Sequence, residues 1–184
     1  NGKVWFVDAG GERGPIFFQQ HIPYGTFSID GEEAEDYRIV WPIDNVPDTQ
    51  GGRFQLRDNN TLNHFTATYG QDIFRGDRLP KDLRGDLLFA EPVGRLIRRT
   101  KINVNDGITQ LSNAYDQTEF LRTKDPLFRP VNMTTAPDGT LYIIDMYRGI
   151  IQEGNWTKKG SYLRGIIDEQ GLATEIGKGR IYRL

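Results

Sequence analysis

Residues 138–145, with the sequence DGTLYIID, decide the fold of this chain. The segment joins a tight Asp-Gly turn to a short apolar run of β-forming side chains, and it stops at Asp145. Residues 1–8, with the sequence NGKVWFVD, follow the same order of turn, apolar run and aspartate. Because a turn–strand unit recurs near both ends of the chain, we expect a β-architecture built from repeated units.

A second pair of segments repeats in the same way. Residues 94–98 read GRLIR, and residues 179–183 read GRIYR. A propeller blade of four strands takes about 40–45 residues, and the chain has 184 residues. We therefore predict an all-β fold, a β-propeller with about four blades present. We interpret residues 1–184 as a single propeller portion and as an arc of a larger propeller.

Hairpin signals support this interpretation. The apolar runs 87–90 and 94–98 flank the turn at Pro92, and the arm 100–104 extends the second run. The strand-like run 141–145 is predicted to pair with residues 179–184 across an insertion around 147–178. Short helical turns are predicted in 113–121 and 161–167.

A long loop is predicted around residues 20–52. This stretch is rich in acidic residues and contains Pro23, Pro42 and Pro47, which interrupt regular structure. One embedded strand is expected at residues 37–41.

Composition narrows the classes of function. The formal net charge of −2 gives no general attraction to nucleic acid, which needs a clustered basic face. The chain has no cysteine, so this stretch offers no disulfide, thiolate metal site or covalent haem attachment. It has no apolar run approaching the roughly 20 residues of a bilayer-spanning helix, so we expect no transmembrane segment in this stretch.

Three blocks of sequence carry a resemblance to a known family. They are residues 64–67 with 73–77 (HFTA and IFRGD), 85–94 (GDLLFAEPVG), and 127–131 with 136–148 (LFRPV and APDGTLYIIDMYR). Together they resemble the propeller domain of the bacterial glucose/sorbosone dehydrogenases. The likeness is greatest to the large membrane-bound dehydrogenases in which the propeller often precedes a cytochrome c domain.

The resemblance implies an enzyme and its setting. It implies an exported dehydrogenase that is periplasmic or extracellular. Whether segments outside this stretch attach it to a membrane is left open. The expected substrate is a sugar or alcohol. The expected cofactors are pyrroloquinoline quinone (PQQ) and calcium, with electrons passing to haem c on a cytochrome c domain or subunit.

His64 is the candidate catalytic base. Oxidation of an alcohol by a quinone needs a base for the hydroxyl proton as hydride leaves, and histidine is suited to this at neutral pH. The alternative is a core histidine whose ring is satisfied by backbone groups.

Arg75, Arg129 and Arg148 are the candidate cofactor-binding residues. A quinone with three carboxylates needs several cations, and the planar fork of arginine matches a carboxylate. The alternative, which we favour, is that these arginines lock loops by pairing with aspartates.

Glu91 and Asp145 are the candidate calcium ligands, because calcium binds carboxylate and carbonyl oxygens. Asp145 has a second interpretation, since an aspartate at a strand end can accept backbone N–H groups and fix the following turn.

Two further classes of function remain open. One is a non-catalytic propeller scaffold in an envelope-associated or multi-subunit assembly. The other is direct carbohydrate binding through Tyr147, Trp156 and Tyr162, because aromatic rings stack on sugars.

Overall fold

The computed structural model describes residues 4–7, 16–22, 25–28, 31–34, 36–44, 56–151 and 154–184. The described part of the chain consists mainly of short strands, with one α-helix, α1, at Tyr162–Gln170 and three short 3-10 helices at Lys81–Leu83, Gly154–Thr157 and Leu172–Thr174. The strands are β1 Val4–Val7, β2 Ile16–Ile22, β3 Gly25–Ser28, β4 Gly31–Glu33, β5 Tyr69–Ile73, β6 Leu87–Glu91, β7 Leu96–Asn105, β8 Ile108–Asn113, β9 Leu121–Arg122, β10 Pro130–Thr135, β11 Leu141–Asp145 and β12 Arg180–Arg183.

These strands form three sheets. The first sheet has the order β1-β2-β3 and the third has the order β10-β11-β12, and both are antiparallel meanders. In the second sheet β5, β6, β7 and β8 form a longer antiparallel meander, while β4 pairs parallel to β8 and β9 pairs with β7. The all-β prediction is confirmed.

Several local predictions are also confirmed. The hairpin across Pro92 is β6 paired with β7, from Leu87 opposite Thr100 to Glu91 opposite Leu96. The predicted long-range pair is β11 with β12. The helical turn predicted in 161–167 is the start of α1, where the Ser161 side chain accepts a hydrogen bond from the Arg164 N–H at 3.2 Å.

Other local predictions are wrong. Residues 37–41 form no strand and make only an isolated bridge at Ile39. Residues 113–121 form no helix, and residue 113 is the last residue of β8. The region expected to be a long loop contains the end of β2 and all of β3 and β4. The part of that loop at 45–55, and Asp8 of the repeated pattern, lie outside the described residues.

The second sheet is buried on both faces at β6 and the first half of β7. Successive residues of a strand face opposite sides of a sheet. Leu87 and Phe89 of β6 face one core with the chain around Tyr37 and Phe65. Between them on β6, Leu88 and Ala90 face a second core, which the third sheet completes with residues Met133, Leu141 and Ile143. The second and third sheets therefore share one apolar interior.

The first strands of the three meanders lie near one another. Strand β10 packs against β5 and β6, and β1 lies beside β5. None of the helices in the described ranges has the length and apolar character needed to span a bilayer, as the sequence predicted.

Candidate functional site

Strands β5 and β10 run side by side in the same direction. A Cβ added to Gly70 would lie 2.4 Å from the carbonyl oxygen of Val131, which places the start of β5 beside the start of β10. Farther along, Asp72 Oδ2 accepts hydrogen bonds from the Thr135 N–H at 2.6 Å and its hydroxyl at 2.7 Å. The two sheets therefore share an N-terminal edge, where β5 and β10 begin, and a C-terminal edge, where both strands end.

Glu91 lies at the N-terminal edge, because its neighbour Ala90 pairs with Tyr69. Its side chain is fully buried. One carboxylate oxygen accepts from the backbone N–H groups of Thr66 and Ala67, each at 2.9 Å. The other accepts from the Thr66 hydroxyl and the Val93 N–H at 3.0 Å, with the Gly94 N–H at 3.4 Å.

Burial raises the pKa of Glu91, and the hydrogen bonds from Thr66, Ala67 and Val93 oppose that shift. The Glu91 carboxylate therefore joins the segment before β5 to the turn between β6 and β7.

Arg129 and Asp145 lie at the same edge. Asp145 is buried, and its Oδ1 accepts from the backbone N–H groups of Arg129 and Tyr147, both at 2.7 Å. Its Oδ2 accepts from the Tyr182 hydroxyl at 3.2 Å. Burial and the Asp145 carboxylate raise the pKa of Tyr182. These contacts agree with the second interpretation of Asp145, in which it fixes the turn after its strand.

The Arg129 guanidinium is fully buried and donates to main-chain carbonyl oxygens. Nη1 donates to Pro92 at 2.9 Å and to Val93 at 3.4 Å, in the turn between β6 and β7. Nε donates to Arg148 at 3.2 Å and Nη2 to Gly149 at 3.4 Å, just after β11. Arg129 therefore connects the second sheet to the third.

Arg148 and His64 are each held by their main chain. The Arg148 N–H donates to the Leu127 carbonyl at 2.9 Å, and the Arg148 carbonyl accepts from Arg129. His64 forms an isolated antiparallel bridge with Ile39 and is half-buried. Next to it, the Oδ1 atom of Asn63 is buried and accepts no hydrogen bond within the described part of the chain.

Arg75 lies at the opposite, C-terminal edge. Its side chain is 69% exposed, and Nη1 lies 3.9 Å from Asp72 Oδ1. Nη1 donates to the Ile73 carbonyl at 2.9 Å, and the Arg75 N–H donates to the Thr135 hydroxyl at 3.1 Å. The structure thus brings Glu91, Arg129, Asp145 and Arg148 to one edge and places Arg75 at the other.

Among the described residues, no group of three or more histidines, cysteines, aspartates or glutamates is placed to hold a metal ion. Glu91 and Asp145 are the predicted calcium ligands, and their oxygens already accept hydrogen bonds from the chain. Calcium binding by these two residues stays a prediction.

Tyr147, at the start of the insertion, contacts a cation. Arg180 stacks over the Tyr147 ring, with its guanidinium carbon 3.4 Å from the ring centroid. The Tyr147 backbone has a φ of 45°, in the left-handed region that a tyrosine seldom adopts. The side chain of Trp156 lies outside the described residues.

Sequence reasoning did not identify a buried ion pair. Arg98 in β7 and Glu119 both have fully buried side chains, and two guanidinium nitrogens each lie 2.5 Å from a Glu119 oxygen. Arg98 also donates to the carbonyls of Tyr37 at 2.7 Å and Ile39 at 2.8 Å. The only sequence signal was a pair of arginines that directly follows the apolar start of β7, Leu96 and Ile97.

The second arginine of that pair, Arg99, points to the other face of the sheet. It contacts Asp86 at 2.5 Å, and Asp82 at 3.0 Å. Burial acts to lower the pKa of Arg99, but hydrogen bonds with Tyr115, Asp86 and Asp82 outweigh burial and raise it. Arg98 and Arg99 therefore have structural partners on both faces of β7.

An open groove of about 500 Å³ lies at the C-terminal edge, between the chain after β5 and the turn between β10 and β11. Its charged lining residues are Arg75, Asp77, Arg78, Arg84 and Asp138. A second open groove of about 470 Å³ shares Arg78 and Asp138 with the first and extends to Arg183. We call the two together the arginine groove.

Comparisons with curated proteins and with solved structures found no match. A family model does match, over residues 19–184, which is most of the chain and includes all three sheets in part or in full. The description of that model is a domain of unknown function, DUF7133, and the chain belongs to this family.

Proposed function

We propose that the three sheets are consecutive blades of a β-propeller. Each sheet contains an antiparallel meander, and the first strands of the meanders, β1, β5 and β10, lie near one another. The parallel course of β5 and β10 supports the proposal, because the innermost strands of neighbouring blades follow the same direction along a propeller's channel. Ile144 and Ile181 pair across the third sheet and are exposed, so its outer face can take another blade.

The function that the geometry supports best is a non-catalytic propeller scaffold in an envelope-associated or multi-subunit assembly. One observation carries this proposal: the charged groups at the N-terminal edge hold the chain together. The Glu91 carboxylate joins two loops, and the Arg129 guanidinium donates to carbonyls in both the second and third sheets. Buried charges that are satisfied in this way stabilise a particular arrangement of loops.

The competing proposal is the quinone-dependent sugar or alcohol dehydrogenase, which would use PQQ and calcium and pass electrons to a cytochrome c. The Oδ1 of Asn63 favours it, since a buried acceptor beside His64 could take a hydrogen bond from a ligand hydroxyl. Two of the three predicted quinone-binding arginines favour the scaffold instead. Arg129 is directed at main-chain carbonyls, and Arg75 lies at the other edge.

A reconstitution experiment separates the two proposals. The natively purified protein is incubated with PQQ and calcium, its absorption spectrum is recorded, and a panel of sugars and alcohols is added with an artificial electron acceptor. The scaffold proposal predicts no bound quinone band and no reduction of the acceptor. A quinone band that responds to one substrate, together with turnover that His64→Ala abolishes, would establish the dehydrogenase instead.

The variant Arg75→Gln then tests the predicted cofactor site, because it removes a predicted cofactor-binding arginine that lies at the other edge. In a dehydrogenase whose site lies at the N-terminal edge, this variant keeps its turnover.

Fractionation of the source cells tests the proposed periplasmic or extracellular location, which predicts that the protein leaves the cytoplasm.

A further inference from the structure

The arginine groove is an accessible feature lined by several charged residues. Arg75, Arg78 and Arg84 line its larger part together with two acidic residues, Asp77 and Asp138. Asp72 Oδ1 lies 3.9 Å from Arg75 Nη1. Asp138 is neutralised by Arg183, whose Nη2 lies 2.7 Å from Asp138 Oδ2. The groove is therefore locally positive, although the chain as a whole carries a formal net charge of −2.

Its arginines are available to a ligand. The side chains of Arg78 and Arg84 are exposed and make no hydrogen bond or ion pair within the part of the chain that the structure describes. Arg75 uses Nη1 for the Ile73 carbonyl and remains 69% exposed. Each guanidinium therefore keeps donors that can contact an anion, in contrast to Arg129 at the other edge.

The groove is held in one shape by its floor. The chain at Gly76 packs so closely on the turn between β10 and β11 that an added Cβ would lie 2.1 Å from the Gly139 carbonyl oxygen. The Arg78 N–H donates to that same oxygen at 3.1 Å. Asp72 and Thr135 join the two sheets just below. Because the floor is fixed, the backbone that carries the arginines needs no ordering when a ligand binds, and the cost is confined to the exposed arginine side chains.

The shape and lining of the groove narrow the class of ligand. Two open grooves joined at Arg78 suit an extended chain better than a small molecule, which usually binds in an enclosed, mostly apolar pocket. The lining residues of the two grooves include no aromatic side chain, so sugar rings and nucleic acid bases find no stacking surface. Aspartate and glutamate carboxylates, in contrast, can bind to arginine guanidinium groups alone.

We propose that the arginine groove binds an extended acidic polypeptide segment of a partner protein. The proposal rests on the scaffold function, because it names the kind of partner that such a propeller recruits. The peptide-binding proposal and the scaffold proposal can fail separately, because peptide binding is measured without PQQ, calcium or substrate.

The test uses a fluorescently labelled peptide of alternating glutamate and glycine residues, titrated by fluorescence anisotropy with the purified protein. The control peptide has glutamine in place of glutamate. We expect binding of the glutamate peptide alone, weakening as salt is raised. The double variant Arg78→Gln with Arg84→Gln should bind at least about tenfold more weakly, because charge-assisted hydrogen bonds are lost.

The matched control variant is Lys158→Gln with Lys159→Gln, which removes the same charge at exposed positions outside the groove. It should bind as the wild type does, and both double variants should keep the wild-type melting temperature. Equal binding by the two double variants, or equal binding of the two peptides, would overturn the proposal. Polygalacturonate or inorganic phosphate that displaces the peptide at a comparable anion concentration would overturn the assignment to a polypeptide.

Discussion

Glu91 illustrates at the scale of one residue how a buried carboxylate is used in this fold. Replacing it with alanine leaves the N–H groups of Thr66, Ala67 and Val93 without their acceptor. We expect Glu91→Ala to lower the free energy of unfolding by about 3 kcal/mol, because each buried donor left unsatisfied is costly. Urea denaturation followed by circular dichroism measures this, with Glu169→Ala on the exposed face of α1 as the control.

The pH dependence of stability also reports on Glu91. Burial raises its pKa in the folded state above the ordinary value of 4.5. A raised pKa means that the folded state binds more protons than the unfolded state between those two values. The contribution of Glu91 to the free energy of unfolding is therefore present below the pKa of the unfolded state. It is lost as pH rises through the pKa of Glu91 in the folded state.

Comparison with Glu91→Gln isolates this contribution, since glutamine does not titrate. We expect the free energy of unfolding of the wild type to fall relative to that of the variant as pH rises from 4.5 through the folded pKa. Chemical denaturation at a series of pH values gives the difference. A difference that grows in favour of the wild type over that range would mean that the hydrogen bonds outweigh burial.

Single residues also show what the sequence could not predict. Arg129 was predicted to bind a cofactor or to pair with an aspartate. Its guanidinium donates to main-chain carbonyls, which leave no mark in a sequence. Arg98 and Glu119 form a buried pair although 21 positions separate them. Only the fold brings such groups together, so the partners of Arg129, Arg98 and Glu119 could not be predicted from the sequence.

At the scale of elements, the turn between β10 and β11 depends on Gly139. Its φ is +82°, and an added Cβ would lie 2.0 Å from Asp77 Oδ1. We expect Gly139→Ala to lower the free energy of unfolding by about 2 kcal/mol, combining a strained backbone conformation with displacement of the neighbouring loop. The same variant should bind the acidic peptide more weakly, because that loop carries Arg78.

Gly107 supplies a matched control for this variant. It has the same φ of +82° in the turn between β7 and β8, but an added Cβ would meet no atom within 4 Å. Thermal unfolding of Gly107→Ala therefore measures the backbone cost alone. If the two variants were equally destabilised and Gly139→Ala bound the peptide normally, the close packing of the two loops would have no energetic consequence.

Two strand pairings were predicted correctly, the local β6–β7 hairpin and the distant pair of β11 with β12, whereas the structure of residues 37–41 was not. The β6–β7 hairpin is formed by neighbouring apolar runs across a short turn, and the sequence predicted it. Residues 37–41 have an equally apolar pattern but form no strand. The carbonyls of Tyr37 and Ile39 accept hydrogen bonds from Arg98, and the Trp41 N–H donates to Glu119 at 3.0 Å. Side chains take the place of a neighbouring strand there.

At the scale of the whole molecule, the second and third sheets are joined at both edges. Arg129 connects them at the N-terminal edge, Asp72 at the C-terminal edge, and a shared apolar core lies between. Elements that share a core and are tied at both ends are expected to open together. The repeated turn–strand units predicted the separate sheets, whereas this coupling depends on polar contacts that only the assembled structure shows.

Removing the tie at Asp72 tests this coupling. In Asp72→Ala, the N–H and hydroxyl of Thr135 lose their acceptor, while the strand pairing inside each sheet is untouched. We expect amide hydrogen exchange in β10 and β11 to accelerate roughly tenfold or more, with β7 and β8 keeping their protection, because the third sheet can then open by itself. Asp116→Ala, at an exposed position, is the control.

Equal acceleration in both sheets would show that they still open as one unit and that the shared core alone couples them. Unchanged exchange everywhere would show that the Asp72 tie contributes nothing to the joint between the proposed blades.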